Sequence, residues 1–283
     1  MRAATIAKII IAASCLFIFM TIGCQKASNP STIIKDSTVI KDSTVIIDST
    51  VYIDSCLTSA SLKNGLLVYL SFSGNFADSS GNGNPTTAVG GASLDYDEHG
   101  NANSAFNGTG NGERILVTNN GSIKVDTSLS ISFDLMVRDA RLEGLVEFVD
   151  NTNAQGFSFG VGTANNNPYN LDFAISNKSL CDTVVASTNT VYLYSPFSPV
   201  VESWYNIITT FHKDTMQIYV NGVLNSTSYS PNTSLATCPT DKLIIGGWWD
   251  GDPLSINGKM DEVRIYNRVL TAKEIARLSS KFR

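Results

Sequence analysis

Twenty basic residues against 25 acidic ones give a net charge of −5 over 283 residues, a balance that argues against a nucleic-acid partner, which requires a basic face. Hydrophobic residues make up 43% of the chain, enough apolar material for one sizeable core, while only 16% of residues are charged. Gly, Ser, Thr and Asn run in turn-like clusters and no long helical repeat is present, which favours one all-β domain with many loops.

The first residues place Arg2 and Lys8 ahead of an apolar run from Ile9 to Met20, followed by small residues before Cys24. This is the pattern of an export signal, and the run is too short for a convincing membrane span. "TIGC" at 21–24 resembles the bacterial lipoprotein box, with Thr21 where Leu is usual, and implies removal of residues 1–23 and lipidation of Cys24. A multiply acylated cysteine anchors stably, so the expectation is an exported protein held on the outer membrane or cell surface. Loss of Arg2 and Lys8 leaves 18 basic residues against 25 acidic, a net charge of −7.

Residues 24–61 form a linker. Within it "IKDSTVIKDSTVIIDSTVYIDS" is a hexad with Asp36, Asp42, Asp48 and Asp54 in register. An even repeat shows the same face at every copy of an extended strand, yet neither face is cleanly apolar, and the period fits no coiled coil. Two readings stand: a solvated stalk reaching at most roughly 100 Å, or several stalks pairing edge to edge. Among the remaining cysteines, Cys181 and Cys238 both fall in the globular part and are the expected disulfide, leaving Cys56 unpaired or bridging to another chain; three free thiols are the alternative. His99 and His212 are the only histidines, and no Cys/His metal spacing exists.

From Leu62 to the C-terminus the pattern changes to alternation. "GLLVYLSF" (65–72) and "SLSISFDLMV" (128–137) are predicted strands. Others are predicted at 113–117, 144–149, 156–161, 170–175, 190–194, 203–212, 215–220 and 242–247, with Trp204 read as core. Asn221-Gly222 suits the positive φ angles of a type I′ hairpin. The strand at 260–266 turns Val263 and Ile265 inward and Arg264 and Tyr266 outward; Thr271 and Glu274 then form a capping box for a helix at 272–279, expected to seal an open end or edge. The fold class that follows is all-β, two packed antiparallel sheets with a short C-terminal helix.

Four segments in order, "GLLVYLSFSGNFADSSGNGN" (65–84), "EHGNANSAFNGTGNGERILV" (98–117), "SWYNIITTFHKDTMQIYVNGVL" (203–224) and "LIIGGWWDGDPLSINGKMDEVRIYNRVLTAKEI" (243–275), resemble the laminin G-like jelly roll of the concanavalin A-like lectin/glucanase superfamily. The resemblance covers 62–283. His99-Gly100 stands where the family often has Phe-Gly, and "GERILV" replaces a Tyr after the "FNG" segment. It implies a jelly-roll sandwich and a structural calcium, for which Asp78 and Asp261 match the family positions, with carbonyls of 81–84 completing an oxygen shell. The alternative is that Asp78 caps its own turn and Asp261 bonds a neighbouring loop or Arg264.

The fold hosts lectins, adhesion modules and glycosidases, so function rests on the site. The Glu-x-Asp-x-x-Glu spacing of a β-glucanase is absent. In "EGLVEFVD" (143–150) alternation places Glu143 and Glu147 on one face and Asp150 on the other, and Glu147 reads as an outward strand residue. "GGWWDGDPLSING" (246–258) is the candidate ligand site: Trp248 and Trp249 point opposite ways, so one packs inward and the other is free to stack on a sugar, with Asp250 and Asp252 accepting from hydroxyls. Both indoles covering the core is the competing reading, and Tyr169 is a further loop aromatic. The expectation is a non-catalytic surface lipoprotein binding a glycan or a surface protein; the second class is a structural component docked on an envelope neighbour.

Overall fold

The computed structural model describes residues 62–149, 155–162, 170–176, 190–231, 234–235, 241–248 and 254–282. The chain divides into Met1–Leu57 and Thr58–Arg283, and the described residues belong to the second unit. Cys24, the hexad linker, Cys56, Asp150, Tyr169, the expected Cys181–Cys238 pair, Trp249, Asp250 and Asp252 lie outside the described residues.

Among the described residues the chain forms β1 (Leu66–Leu70), β2 (Thr86–Val89), β3 (Ser93–Asp95), β4 (Ala105–Thr109), β5 (Arg114–Thr118), β6 (Ser128–Val137), β7 (Glu143–Val149), β8 (Gln155–Val161), β9 (Leu171–Ser176), β10 (Thr190–Ser195), β11 (Trp204–His212), β12 (Thr215–Val220), β13 (Val223–Tyr229), β14 (Lys242–Ile245) and β15 (Asn257–Tyr266), then helix α1 (Ala272–Leu278) and a 3-10 turn at Ser280–Phe282. The expected strands are present; β2, β3 and β4 are additions, as is β13, which the Asn221-Gly222 hairpin had only implied. One eight-stranded antiparallel sheet runs β13-β12-β11-β6-β15-β4-β3 with β1 also paired to β15; a seven-stranded sheet runs β10-β9-β8-β7-β14-β5-β2. This is the two-sheet jelly-roll sandwich.

Alternation supplies the core. Ile131, Phe133 and Leu135 of β6 meet Phe148, Phe157, Phe159 and Phe173 of the opposite sheet, with no solvent exposure at any of them. Phe133 and Phe159 join the layers edge to face at 5.3 Å between centroids, and Phe148 stacks on Phe157 at 5.2 Å. Asn221 and Gly222 take φ angles of 49° and 74°, the hairpin geometry their sequence demands.

β15 carries a bulge between Asp261 and Arg264, with Glu262 at φ 55°. Its first half pairs β4 and its second half pairs β1. The acidic pair therefore sits where β15 changes partner, and both residues have structural bonds there: Glu262 accepts from the Tyr69 hydroxyl at 2.8 Å and pairs with Arg264, while Asp261 Oδ1 accepts from the Glu262 N–H at 2.7 Å.

Helix α1 begins with the Thr271–Glu274 capping box. It does not seal an end or edge of the sandwich. Ile275 packs with Leu270, Tyr266 of β15 and Ile208 of β11, on the outer face of the eight-stranded sheet, so Tyr266 points outward yet is fully buried. Trp204 is only half-buried rather than core, because it is the first residue of β11, where the sheet begins.

Candidate functional site

The seven-stranded sheet turns its phenylalanines inward; the residues between them face the other way. Registers place Glu147 (β7), Ser158 (β8), Ala174 (β9) and Tyr192 (β10) in one row across that outer face, and Gly160, Asp172 and Tyr194 in the next. Tyr192 and Tyr194, two residues apart on the edge strand, stack with ring centroids 6.0 Å apart and planes 11° from parallel. They are 38% and 42% exposed, whereas Glu147 and Asp172 are 0% and 1% exposed. The arrangement is a pair of partly exposed, stacked tyrosine rings at the edge of a face whose neighbouring residues Ser158, Gly160, Ala174, Glu147 and Asp172 are all buried.

Burial raises the Tyr192 phenol above its ordinary range, and the neighbouring Tyr194, Asp172 and Glu147 add to the rise; burial and Asp172 do the same for Tyr194. Both hydroxyls stay protonated donors at neutral pH. Flat apolar faces with a polar tip are suited to the alternating C–H and O–H surfaces of a sugar ring. Reading the sequence did not single out this pair, although the signal was present in "TVYLYS": two tyrosines at period two on a strand with polar neighbours.

Glu143 and Glu147 do not share a face. A bulge between Gly144 and Val146 inserts one residue, so Glu143 pairs Val161 and Glu147 pairs Ser158, three residues apart on β8. Leu145 and Val146 are consequently both core. Glu143 accepts from the Asn257 N–H at 2.9 Å, and burial pushes its carboxyl up to about 8. The pair required for glycoside hydrolysis is thus split between opposite sides of the sheet.

Of the candidate rim, Trp248 is buried, 8% exposed. Its backbone passes so close to Gly144 that a side chain there would collide with it. The segment closes on itself at its base, where Ile256 N–H donates to the Gly246 carbonyl at 3.0 Å.

Asp78 and Asp261 have separate surroundings. Asp78 lies along the edge of β1 away from β15, bridged to Leu70. Its Oδ1 accepts from Tyr69 N and Ser80 N, and its Oδ2 from Ser80 Oγ, Asn84 N and Asn84 Nδ2. A carboxylate has about four lone-pair sites, so these donors fill it. Asp78 caps its own turn, and the residues present do not fit a cation shared by Asp78 and Asp261.

Asp261 instead faces Asp97 and Glu98 of the β3–β4 loop, with ligand oxygens within 4.8 Å of one another, and pairs Asp134 across the sheet. Burial first, then Glu262, Glu98 and Asp134, push Asp261 up to about 8. The Lys281 ammonium balances this patch, contacting Glu98 and reaching Asp134 Oδ2 at 2.7 Å. Asn206 links Asp134 to Ser279, so the row fastens the C-terminal turn to the sheet.

The family model described as the concanavalin A-like lectin/glucanases superfamily matches residues 107–276, more than half of the chain. The chain belongs to that superfamily. Similar solved structures are the binding domain of botulinum neurotoxin serotype D (14% identity, TM-score 0.61, covering 80% of this chain and 53% of that one) and the binding domain of Paraclostridial Mosquitocidal Protein 1 (17%, 0.60, 78% and 53%). A serotype D neurotoxin ligand-binding domain in complex with N-acetylneuraminic acid is a third (14%, 0.58, 79% and 52%). The chain spans about half the length of these structures, and at such identity the likeness concerns the fold. No curated protein matches the chain.

Proposed function

We propose that the unit from Leu62 onward is a non-catalytic carbohydrate-binding module of the superfamily, and that Tyr192 and Tyr194 are its stacking platform. The observation that carries this reading is the parallel, solvent-open tyrosine pair on the outer face of the seven-stranded sheet. It is supported by one structural neighbour, a neurotoxin ligand-binding domain in complex with N-acetylneuraminic acid. The separation of Glu143 from Glu147 supports the absence of hydrolysis. The rim residues Trp249, Asp250 and Asp252 belong to the proposal as a second contact, on sequence grounds alone.

The same proposal places the module outside the cell, tethered through lipid on Cys24 by the linker, on the strength of the "TIGC" motif. Glycan-array binding of the exported protein tests the reading: Tyr192→Ala with Tyr194→Ala removes at least 90% of the signal on the bound glycans while the melting temperature holds. Retention of full binding by that variant, or release of reducing ends from any polysaccharide, overturns it.

A further inference from the structure

We infer that Tyr96, with the Asp95 carboxylate and the Lys259 ammonium beside it, forms a second sugar-contact site, remote from Tyr192 and Tyr194; the inference rests on the carbohydrate-binding reading above only for the class of its ligand. β3 ends the larger sheet on the side away from β13. Leu94, Phe106 and Met260 pack into the core, so their strand neighbours Asp95, Asn107 and Lys259 stand on the outer face. Lys259 Nζ reaches Asp95 Oδ2 at 3.0 Å and donates to the Tyr96 carbonyl at 3.1 Å. Arg138 donates to Asn107 Oδ1 at 2.6 Å and stands 3.6 Å from Asp95 Oδ2. Beside these groups Tyr96 is 56% exposed.

The bonds within this corner do not exhaust it. An ammonium has three N–H donors and a carboxylate about four lone-pair sites. Lys259 spends two donors, on Asp95 and the Tyr96 carbonyl, while Asp95 accepts from Lys259 and from the Tyr96 N–H at 2.8 Å, with Arg138 at ion-pair distance. One donor and one acceptor are left side by side, which suits two neighbouring hydroxyls of a sugar ring, one accepting from the ammonium and one donating to the carboxylate, while the open tyrosine ring covers the sugar's apolar face. Burial opposes ionisation of Asp95, but Lys259, the Tyr96 N–H and Arg138 outweigh it and hold the carboxyl below its ordinary range, so the acceptor is present at neutral pH. Asp97 Oδ1 accepts from the His99 and Asn101 N–H groups, so the turn that presents Tyr96 is already ordered and loses little freedom when a ligand docks.

The two aromatic sites lie on opposite sides of the sandwich. Ser195 Oγ donates to Asn225 Oδ1 and so joins β10 to β13, which places Tyr192 and Tyr194 at the β13 side, on the outer face of the smaller sheet. Tyr96 lies at β3, six strand steps or about 29 Å across and on the outer face of the larger sheet. One sugar ring cannot touch both, so the module is bivalent and can hold two glycan strands at once.

Calorimetry of the intact exported protein with cellohexaose and with mannohexaose counts the sites. The expected result is two oligosaccharides per chain for at least one of these probes; Tyr96→Ala removes one of them, and Tyr192→Ala with Tyr194→Ala removes the other. Asp95→Asn keeps the shape of the corner and weakens the Tyr96 site at least tenfold, leaving the other unchanged. Tyr96 is exposed, so Tyr96→Ala is expected to keep the melting temperature of the unaltered protein. One oligosaccharide per chain, lost in the double tyrosine variant and untouched by Tyr96→Ala, overturns the second site and leaves the tyrosine platform standing. One per chain, lost in Tyr96→Ala and indifferent to the double variant, overturns the platform and supports the site at Tyr96. Binding of neither probe overturns both.

Discussion

Glu143 of the seven-stranded sheet accepts a hydrogen bond from the backbone N–H of Asn257, the first residue of β15 in the other sheet, at 2.9 Å. The two layers of the sandwich are therefore joined at this rim by a side chain as well as by apolar packing.

Burial of that carboxyl, which outweighs the bond, carries a pH signature. The folded-state value of about 8 lies above the ordinary 4.5, so the native state holds a proton that the unfolded chain releases between those limits. Stability falls as pH rises from about 4.5 to 8, the opposite of a salt-bridged acid. Glu143→Gln, which keeps the acceptor, is expected to melt with the unaltered protein at pH 5 and several degrees above it at pH 8, for a difference of about 2 kcal/mol. Asp261, also pushed up to about 8, adds a residual slope of the same sign that this variant keeps.

Asp78 makes a contrasting prediction. Its five donors become orphans in Asp78→Ala, at a cost of about 2 kcal/mol by urea denaturation. Because no lone pair is left for a cation there, any shift of the midpoint in millimolar calcium is expected to be the same in the unaltered protein and in the variant. A calcium-dependent gain that Asp78→Ala abolishes would show the capping account to be wrong.

Lys281 and Asp134 test how the C-terminus is held. Lys281→Met leaves Asp134, 1% exposed, among Glu98 and Asp261 without its counter-ion. A loss of about 1–2 kcal/mol is expected. Asp134→Asn in the same chain should recover part of it, and the double-mutant cycle measures the coupling.

Gly144→Ala probes the bulge. The added methyl group would enter the backbone at Gly247 and Trp248, so the strand or the rim must move. The expected outcome is a loss of about 2 kcal/mol together with a changed near-ultraviolet tryptophan signal. A variant with unaltered stability and signal would show the contact to be compliant.

Most of the sandwich was legible because its long strands obey period two, as at Ile131, Phe133 and Leu135, and because Thr271–Glu274 and Asn221-Gly222 carry local chemistry that no packing overrides. The bulges were not. Nothing in "EGLVEF" says that Leu145 and Val146 both turn to the core, and that one inserted residue decides whether two carboxylates cooperate. The tyrosine ledge was hidden for another reason. Alternation reports which residues share a face, but not that β10 ends its sheet, and only at an edge do Tyr192 and Tyr194 stay open. The placement of α1 on a sheet face likewise depends on β11 and β15 being next-nearest strands, a long-range fact absent from the helix's own stripe.

The last strand made is also among the most central. β15 is flanked by β6 on one side and by β4 and β1 on the other, so the segments on either side of it have no mutual pairing until residue 266 has been synthesised. Assembly of the larger sheet must wait for β15, the keystone that joins β1, β4 and β6 and whose pairing with β1 reaches back two hundred residues, from Tyr266 to Leu66.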